Sequence, residues 1–471
     1  MNLFIFSDDL RIKDNKALYE ASLDQNGLVA LFIIDKTKNK NHGDSLAKLK
    51  LKLLGLEKIN ETLSLLNVSL KILYSQKITD EPKDILDFCK SHGIKKIFLN
   101  SEYPFNENQR NINLKEICHQ HQIGYREFNS QLIDPDEVKN NSGLPFKVFT
   151  PYSKKIRSLM TQDILSESPA PLKQKNRIFD QDEIPQFQDA YDQEFNFSFD
   201  DFPLTENSAS QKLDEFINSS IQNYKELRDI PSLSATSNLS SSFAIGLISS
   251  KQAINLVLER LPDEIGTGQF TWITEIIWRE FYKYITYHFS HVSKGKCFNP
   301  KYDHILWRDD EESFIKWCEG KTGVPIIDAA MKQLNERKWM HNRLRMITAM
   351  FLSKNLLVDW RKGERYFMEN LIDGDFCSNN GGWQWSASTG TDAAPYFRIF
   401  NPITQSTNFD PEGKFIKQFI PELNMLSSKE VHLPTTDLLT SFNYPSPILD
   451  LKSSRLRAIE VFKENNATRD A

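Results

Sequence analysis

The sequence predicts two folds in series: an α/β domain built on a parallel sheet, then, past a long connector, an all-α domain. Three observations predict it. Short apolar runs alternate with amphipathic stretches over residues 1–129, an irregular Pro/Gln/Asp-rich stretch fills 130–207, and the pattern from 208 to 471 is almost wholly helical. A chain of 471 residues is too long for one ordinary core, so more than one domain is expected.

In the first region "LFIFS" (3–7), "LVALFII" (28–34), "VSLKILY" (68–74), "IKKIFLN" (94–100) and "IGYREFN" (123–129) read as buried strands. The stretch Lys48 to Leu66 between them has apolar residues three and four apart, as an amphipathic helix does. Such alternation argues for parallel strands with right-handed crossovers, a Rossmann-like arrangement that binds ligands at the strands' carboxyl ends. "SDDLR" stands where a GxGxxG fingerprint would follow the first strand, so a standard NAD site is not expected. The connector, including "SPAPLKQKNRIFDQDEIPQFQDAYDQEFNFSFDDFP", reads as a surface linker anchored by aromatics. Beyond it "SQKLDEFINSSIQNYKELRDI", "FTWITEIIWREFYKYITYHF" and "IIDAAMKQLNERKWMHNRLRMITAMFLSKNLLVDW" carry helical spacing.

Composition narrows the function. Hydrophobic and charged shares of 39% and 26% are those of a globular protein, and the net charge of −5 leaves room only for a local basic patch. Five scattered cysteines without CxxC spacing read as reduced thiols. His288 and His291 lack an HExxH context, and Asp373-Gly374-Asp375 lacks the later EF-hand ligands, so no metal site is expected. With neither a leader nor a membrane-length apolar run, a soluble, cytoplasmic protein is expected.

Four stretches carry chemistry. Helical spacing puts Trp272, Glu275 and Arg279 on one stripe with Trp278 beside it, where a carboxylate between indoles would be partly desolvated. The bland alternative is a plain Glu275–Arg279 pair. In "WMHNRLRMITAMF", Trp339, Asn342 and Met346 share a predicted face flanked by Arg343 and Arg345, a set suited to a planar heteroaromatic ligand. "LIDGDFCSNNGGWQW" joins two acids, an amide and bare glycines, and Thr236-Ser237-Asn238-Leu239-Ser240 offers hydroxyls at a helix start. The last reads equally as a Ser-rich cap.

The run from "KTGVPIIDAAMKQ" through "SNNGGWQWSASTGTDAAPYFRIFNP" resembles the photolyase/cryptochrome family, and more narrowly its bacterial class I cyclobutane pyrimidine dimer photolyases. The resemblance implies an antenna-chromophore α/β domain (1–129), an interdomain connector (130–207) and a helical domain (208–471) that binds FAD and damaged DNA. It assigns Tyr224, Thr236, Ser237, Asn238, Leu239, Ser240, Trp272, Arg279, Asn342, Arg345, Asp373, Gly374 and Asp375 to FAD, with Asn379 beside N5 favouring the reduced, anionic flavin. Glu275 would hydrogen-bond the damaged bases, Trp278 and Trp385 flank the flipped dimer, and Asn342 and Met346 touch it. Arg228, Arg343 and Gln405 would touch DNA. Trp383, Trp360 and Trp307 match the family's electron-carrying chain. His42, Asn106, Glu107 and Lys294 match positions holding a 5,10-methenyltetrahydrofolate antenna, with deazaflavin the alternative.

The implied function is light-driven dimer repair by a monomer acting on UV-damaged DNA, away from membranes. The competing reading is a cryptochrome-type photoreceptor without repair activity; retention of Glu275, Trp278, Met346 and Trp385 favours repair. Asn238 stands where the family usually has arginine, and Thr274 replaces a frequent asparagine.

Overall fold

Five short apolar runs pair into one sheet, as their β-branched and aromatic content dictates. In the computed structural model, which describes residues 1–24 and 26–467, the strands are β1 (Asn2–Phe6), β2 (Leu28–Asp35), β3 (Ser69–Ser75), β4 (Lys96–Asn100) and β5 (Gly124–Phe128). All pairings are parallel, in the order β3-β2-β1-β4-β5. Phe4 of β1 lies in register with Ala30 on one side and Phe98 on the other. Leu3, Ile5, Val29, Leu31, Ile97 and Leu99 supply one buried face, against Ile85, Phe88 and Leu114 of flanking helices. Each such side chain stabilises the sheet by about 1.5–3 kcal/mol relative to exposure. The expected helix appears as Leu46–Leu65, capped by the Ser45 hydroxyl.

The chain divides into two compact units that do not follow chain order. The first comprises residues 1–222, 237–290 and 372–375; the second comprises 223–236, 291–371 and 376–471. Besides the sheet, the first holds the 21-residue Gly268–His288 helix. Here Gly268 is required, since a Cβ would lie 1.8 Å from the Ile221 carbonyl oxygen. The stretch read as irregular contributes a helix too. In Phe149–Leu159, Phe149, Tyr152 and Ile156 are buried at helical spacing, and Pro151 falls in the first turn, where it removes no needed donor.

The second unit is helical around one core that includes Trp317, Trp360, Phe367, Trp383, Phe415 and Phe462. Its Asn342–Met350 helix runs into a π-helical turn at Phe351–Leu356. The helices Trp360–Asn370 and Phe376–Ala387 pack closely, because Gly363 leaves room for the Trp383 indole; a Cβ there would sit 2.1 Å from it. Lys354 is wholly buried, its Nζ donating to Ser388 Oγ at 2.9 Å and lying 3.5 Å from the Phe462 ring centre. Burial holds this amine well below its ordinary pKa. No helix among the described residues is long and apolar enough to cross a membrane.

Candidate functional site

The candidate residues fall in both units, and each unit forms a local arrangement. In the first, the Gly268–His288 helix places Trp272, Glu275, Trp278 and Arg279 within two turns. Trp272 is 3% exposed; its indole N–H donates to Ser237 Oγ at 3.3 Å, and its ring packs on Phe216. That bond ties the helix to the hydroxyl-rich stretch, in which Leu239 is buried and Ser240 opens a short helix ending at Ile245. Asn238 has φ +49°, a left-handed conformation that asparagine tolerates better than arginine does.

Glu275 is half-buried on this helix. The Arg279 head donates to the Phe243 carbonyl (2.9 Å) and meets Glu280 at 3.5 Å. Trp278 lies flat on Phe149, ring centres 3.5 Å apart and planes 6° apart. Behind Glu275, Thr274 accepts a bond from Arg157 at 2.9 Å. The connector helix therefore backs the wall that Trp278 and Thr274 form, a role its irregular sequence did not announce. Asp373 and Gly374 are buried and Asp375 half-buried in the turn 372–375.

In the second unit Tyr224 is buried and Arg228 lies over its ring, with the half-buried Thr236 in the loop that follows. Trp339 does not share a helical face with Asn342 and Met346. The helix begins only at Asn342, because His341 caps it by accepting the Arg343 N–H at 3.2 Å. Burial lowers the His341 pKa to about 4, which keeps the cap neutral. Asn342 and Met346 do meet, amide nitrogen to sulfur at 3.9 Å. Arg343 pairs with Asp229 (2.6 Å) over the Phe409 ring, and Arg345 donates to the Met340 carbonyl. Gln405 is half-buried in the Pro402–Phe409 helix.

The stretch "NNGGWQW" forms helix despite its glycines. Tertiary bonds hold it. Asn379 Nδ2 donates to the Glu364 carbonyl (2.9 Å), Asn380 Nδ2 to the Glu364 carboxylate (2.7 Å), and Gln384 to Asn380 Oδ1 (2.9 Å). Because the Asn379 donor is engaged, its Oδ1 is the end left to accept. One turn on, a Cβ added at Gly382 would meet nothing within 4 Å, so the backbone borders open space. An acceptor amide beside bare backbone fits the edge of a flat heterocycle bearing an N–H. Glu364 was not singled out by its sequence context, where only its charge was visible. Burial raises its pKa to about 7, against the Asn380 bond and the Arg361 charge.

Trp383 is 2% exposed, Trp360 fully buried, and Trp307 half-buried at the edge of the same core against Phe462. The indole nitrogens of all three are buried without a hydrogen-bond partner. Trp383 also meets Trp317 edge to face at 6.0 Å, and Trp385 is half-buried. Of the antenna candidates, Asn106 is exposed and Glu107 half-buried in the first turn of Phe105–Gln120. Lys294 is exposed in a 3₁₀ turn, and the His42 side chain lies outside the described residues. Glu107 borders a cavity of only about 40 Å³ at the carboxyl ends of β1 and β2. Arg110 fills its wall, paired with Glu81 at 3.0 Å and with Glu102.

Comparison with known proteins bears on this arrangement. Residues 2–172 match the model for DNA photolyase, and residues 272–464 that for the FAD binding domain of DNA photolyase. The chain is 38% identical to the deoxyribodipyrimidine photo-lyase of Buchnera aphidicola (subspecies Acyrthosiphon pisum), over 98% of this chain and 97% of that one. It is 36% identical to that of Escherichia coli K12, over 98% of each. Among solved structures, the class III photolyase of Agrobacterium tumefaciens superposes with a TM-score of 0.89 at 31% identity, covering 99% of this chain and 98% of that one.

Proposed function

The chain belongs to the DNA photolyase family, and we propose that the residues described above give it light-driven repair of cyclobutane pyrimidine dimers. It is a DNA-repair lyase with an FAD-binding domain. When bound, reduced FAD supplies the electron that, after absorption of blue light, splits the cyclobutane ring. The protein's own task is then to hold the flavin, receive the extruded dimer and keep water away. Extrusion is easier at a lesion, whose stacking and pairing are already weakened.

Asn379 is the observation that carries the reading. With its donor held by the Glu364 carbonyl it offers an oxygen, which accepts from a protonated N5 and so favours the reduced flavin. Trp272, Arg279, Asn342, Arg345, Asp373 and Asp375 complete the flavin set, together with Tyr224 and the 236–240 stretch. Glu275 binds the bases' polar edge and stabilises the charge that develops on the dimer, in a half-buried setting where such contacts are strengthened. Trp278 and Trp385 present ring faces to the dimer, with Met346 beside it, and Arg228, Arg343 and Gln405 meet the DNA backbone. Trp383, Trp360 and Trp307, ordered from core to edge, return electrons to oxidised flavin.

Residues 1–129 act as the antenna domain, 130–207 as connector and 208–471 as the catalytic region, in a cytoplasmic monomer. The antenna is methenyltetrahydrofolate. Asn106 and Glu107, adjacent in the first turn of Phe105–Gln120, support the folate reading, with deazaflavin the alternative.

The test is repair of a thymine-dimer oligonucleotide by the photoreduced protein, followed as recovery of thymine absorbance in blue light and in darkness. Recovery in light alone is expected. Glu275→Ala should still bind the damaged strand but repair several-fold fewer dimers per photon. No recovery with reducible flavin bound would overturn the assignment.

A further inference from the structure

A second cleft at the carboxyl edge of the sheet differs from the ion-filled cavity in size and lining. It has a volume of about 480 Å³, within the range of small-molecule sites, and lies wholly in the first unit. Asn100 at the end of β4, Phe128 at the end of β5 and Arg11 after β1 border it, so it opens where the winding of the sheet reverses. Doubly wound sheets bind ligands at that place.

The cleft is built rather than left over. Buried Asp14 ties two of its walls together, accepting from the Ser168 N–H at 2.9 Å and from the Ser249 hydroxyl at 2.5 Å. Buried Glu280 ties two more, accepting from Ser250 Oγ at 2.7 Å and the Leu132 N–H at 2.9 Å. Two features then point to an occupant. Gln131 borders the cleft and is 6% exposed, yet its amide nitrogen is buried with no acceptor. Leaving such a donor unsatisfied costs about 1–3 kcal/mol. Lys251 stands at the second position of the Ser250–Leu258 helix, where the helix dipole disfavours a cation. An anion resting on that helix start would reverse the penalty and use both the ammonium and the Ser250 and Lys251 N–H groups, the Gln252 N–H being capped by Ser249 Oγ at 3.0 Å.

We propose that this cleft binds a nucleoside monophosphate. The phosphate would take Lys251 and the helix start, the sugar hydroxyls the rim carboxylates Asp163 and Glu167, and the heterocycle the Phe128 ring and the Gln131 amide. One aromatic ring among charged and hydroxyl-bearing neighbours suits a mononucleotide better than an extended planar chromophore. The assignment is independent of the photochemistry.

The experiment is calorimetric titration of the FAD-loaded protein with adenosine 5′-monophosphate, uridine 5′-monophosphate, adenosine and inorganic phosphate, with flavin absorbance followed to show that no FAD is displaced. Saturable binding of at least one nucleotide is expected, tenfold or more tighter than adenosine or phosphate. Lys251→Glu should weaken it at least tenfold and Gln131→Leu about tenfold. Because Lys251 is partly exposed, its variant keeps the test open if Gln131→Leu fails to fold. Absence of saturable binding, equal binding of phosphate alone, or nucleotide binding untouched by Lys251→Glu would each overturn the proposal.

Discussion

The Gly268–His288 and Phe376–Ala387 helices both carry site residues, but they reach helical form by different routes. The first obeys the rules of an amphipathic helix, with a Thr267 cap and buried Trp272, Ile273, Ile276, Ile277 and Glu280 at regular spacing. The second contains Gly381 and Gly382, shows no apolar stripe, and is held from outside by Glu364 and by the slot that Gly363 leaves for Trp383. One helix brings its site residues along with its own stability. The other is shaped for what it must face, and its neighbours supply the stability. Local rules are broken where function or strain requires it.

That contrast can be broken at its supports. The largest effect is expected from Gly363→Val, which drives a branched side chain into Trp383 and should cost about 3 kcal/mol or more. Urea unfolding would register it as a lowered midpoint with unchanged slope; an unchanged midpoint would mean that the second helix does not depend on this slot. Next is Glu364→Gln. The carboxyl binds its proton more tightly in the folded chain, at about 7 against 4.5 for the free group. The folded state therefore carries more protons between those values, and stability falls as pH rises through that window. The glutamine variant should lose this dependence and be more stable at pH 8 by about 1–3 kcal/mol, with little change at pH 4. Thermal melts across pH 4–8 would show it, and parallel curves for the two proteins would refute it. The smallest effect belongs to Gly382→Ala. A methyl group there meets nothing in the protein, so the helix should gain about 0.5–1 kcal/mol. Flavin affinity should fall at the same time. Opposite signs in a melt of the apoprotein and an FAD titration would sharpen the contrast; equal affinity would remove Gly382 from the flavin's border.

The same contrast governs what could be read in advance. The five strands were legible to within one or two residues, β1, β2 and β4 because buried parallel strands are written as continuous apolar runs; β5, expected to be buried as well, has no buried residue. The Trp272–Glu275–Arg279 stripe was legible too. The helical state of "NNGGWQW" was not, since its hydrogen bonds come from Glu364, distant in sequence. Trp339 was set on the wrong side of a helix start because a buried, neutral histidine is not an obvious cap. The Phe149–Leu159 helix hid behind Pro151, and its stacking on Trp278 depends on a contact across more than a hundred positions. The left-handed backbone at Asn238 was not legible either, because nothing in the local sequence announces it.

The slot at Gly363 also bears on how this sequence can drift. Alanine is a better helix former than glycine by roughly 1 kcal/mol, and in most exposed helices the exchange is an easy improvement. Here the first added carbon meets the indole at 2.1 Å, so the commonest stabilising replacement is closed. A library randomised at positions 363 and 383 together should return glycine wherever tryptophan survives, and larger residues at 363 only beside a shrunken partner. The two positions would then be inherited as one unit, although twenty residues separate them.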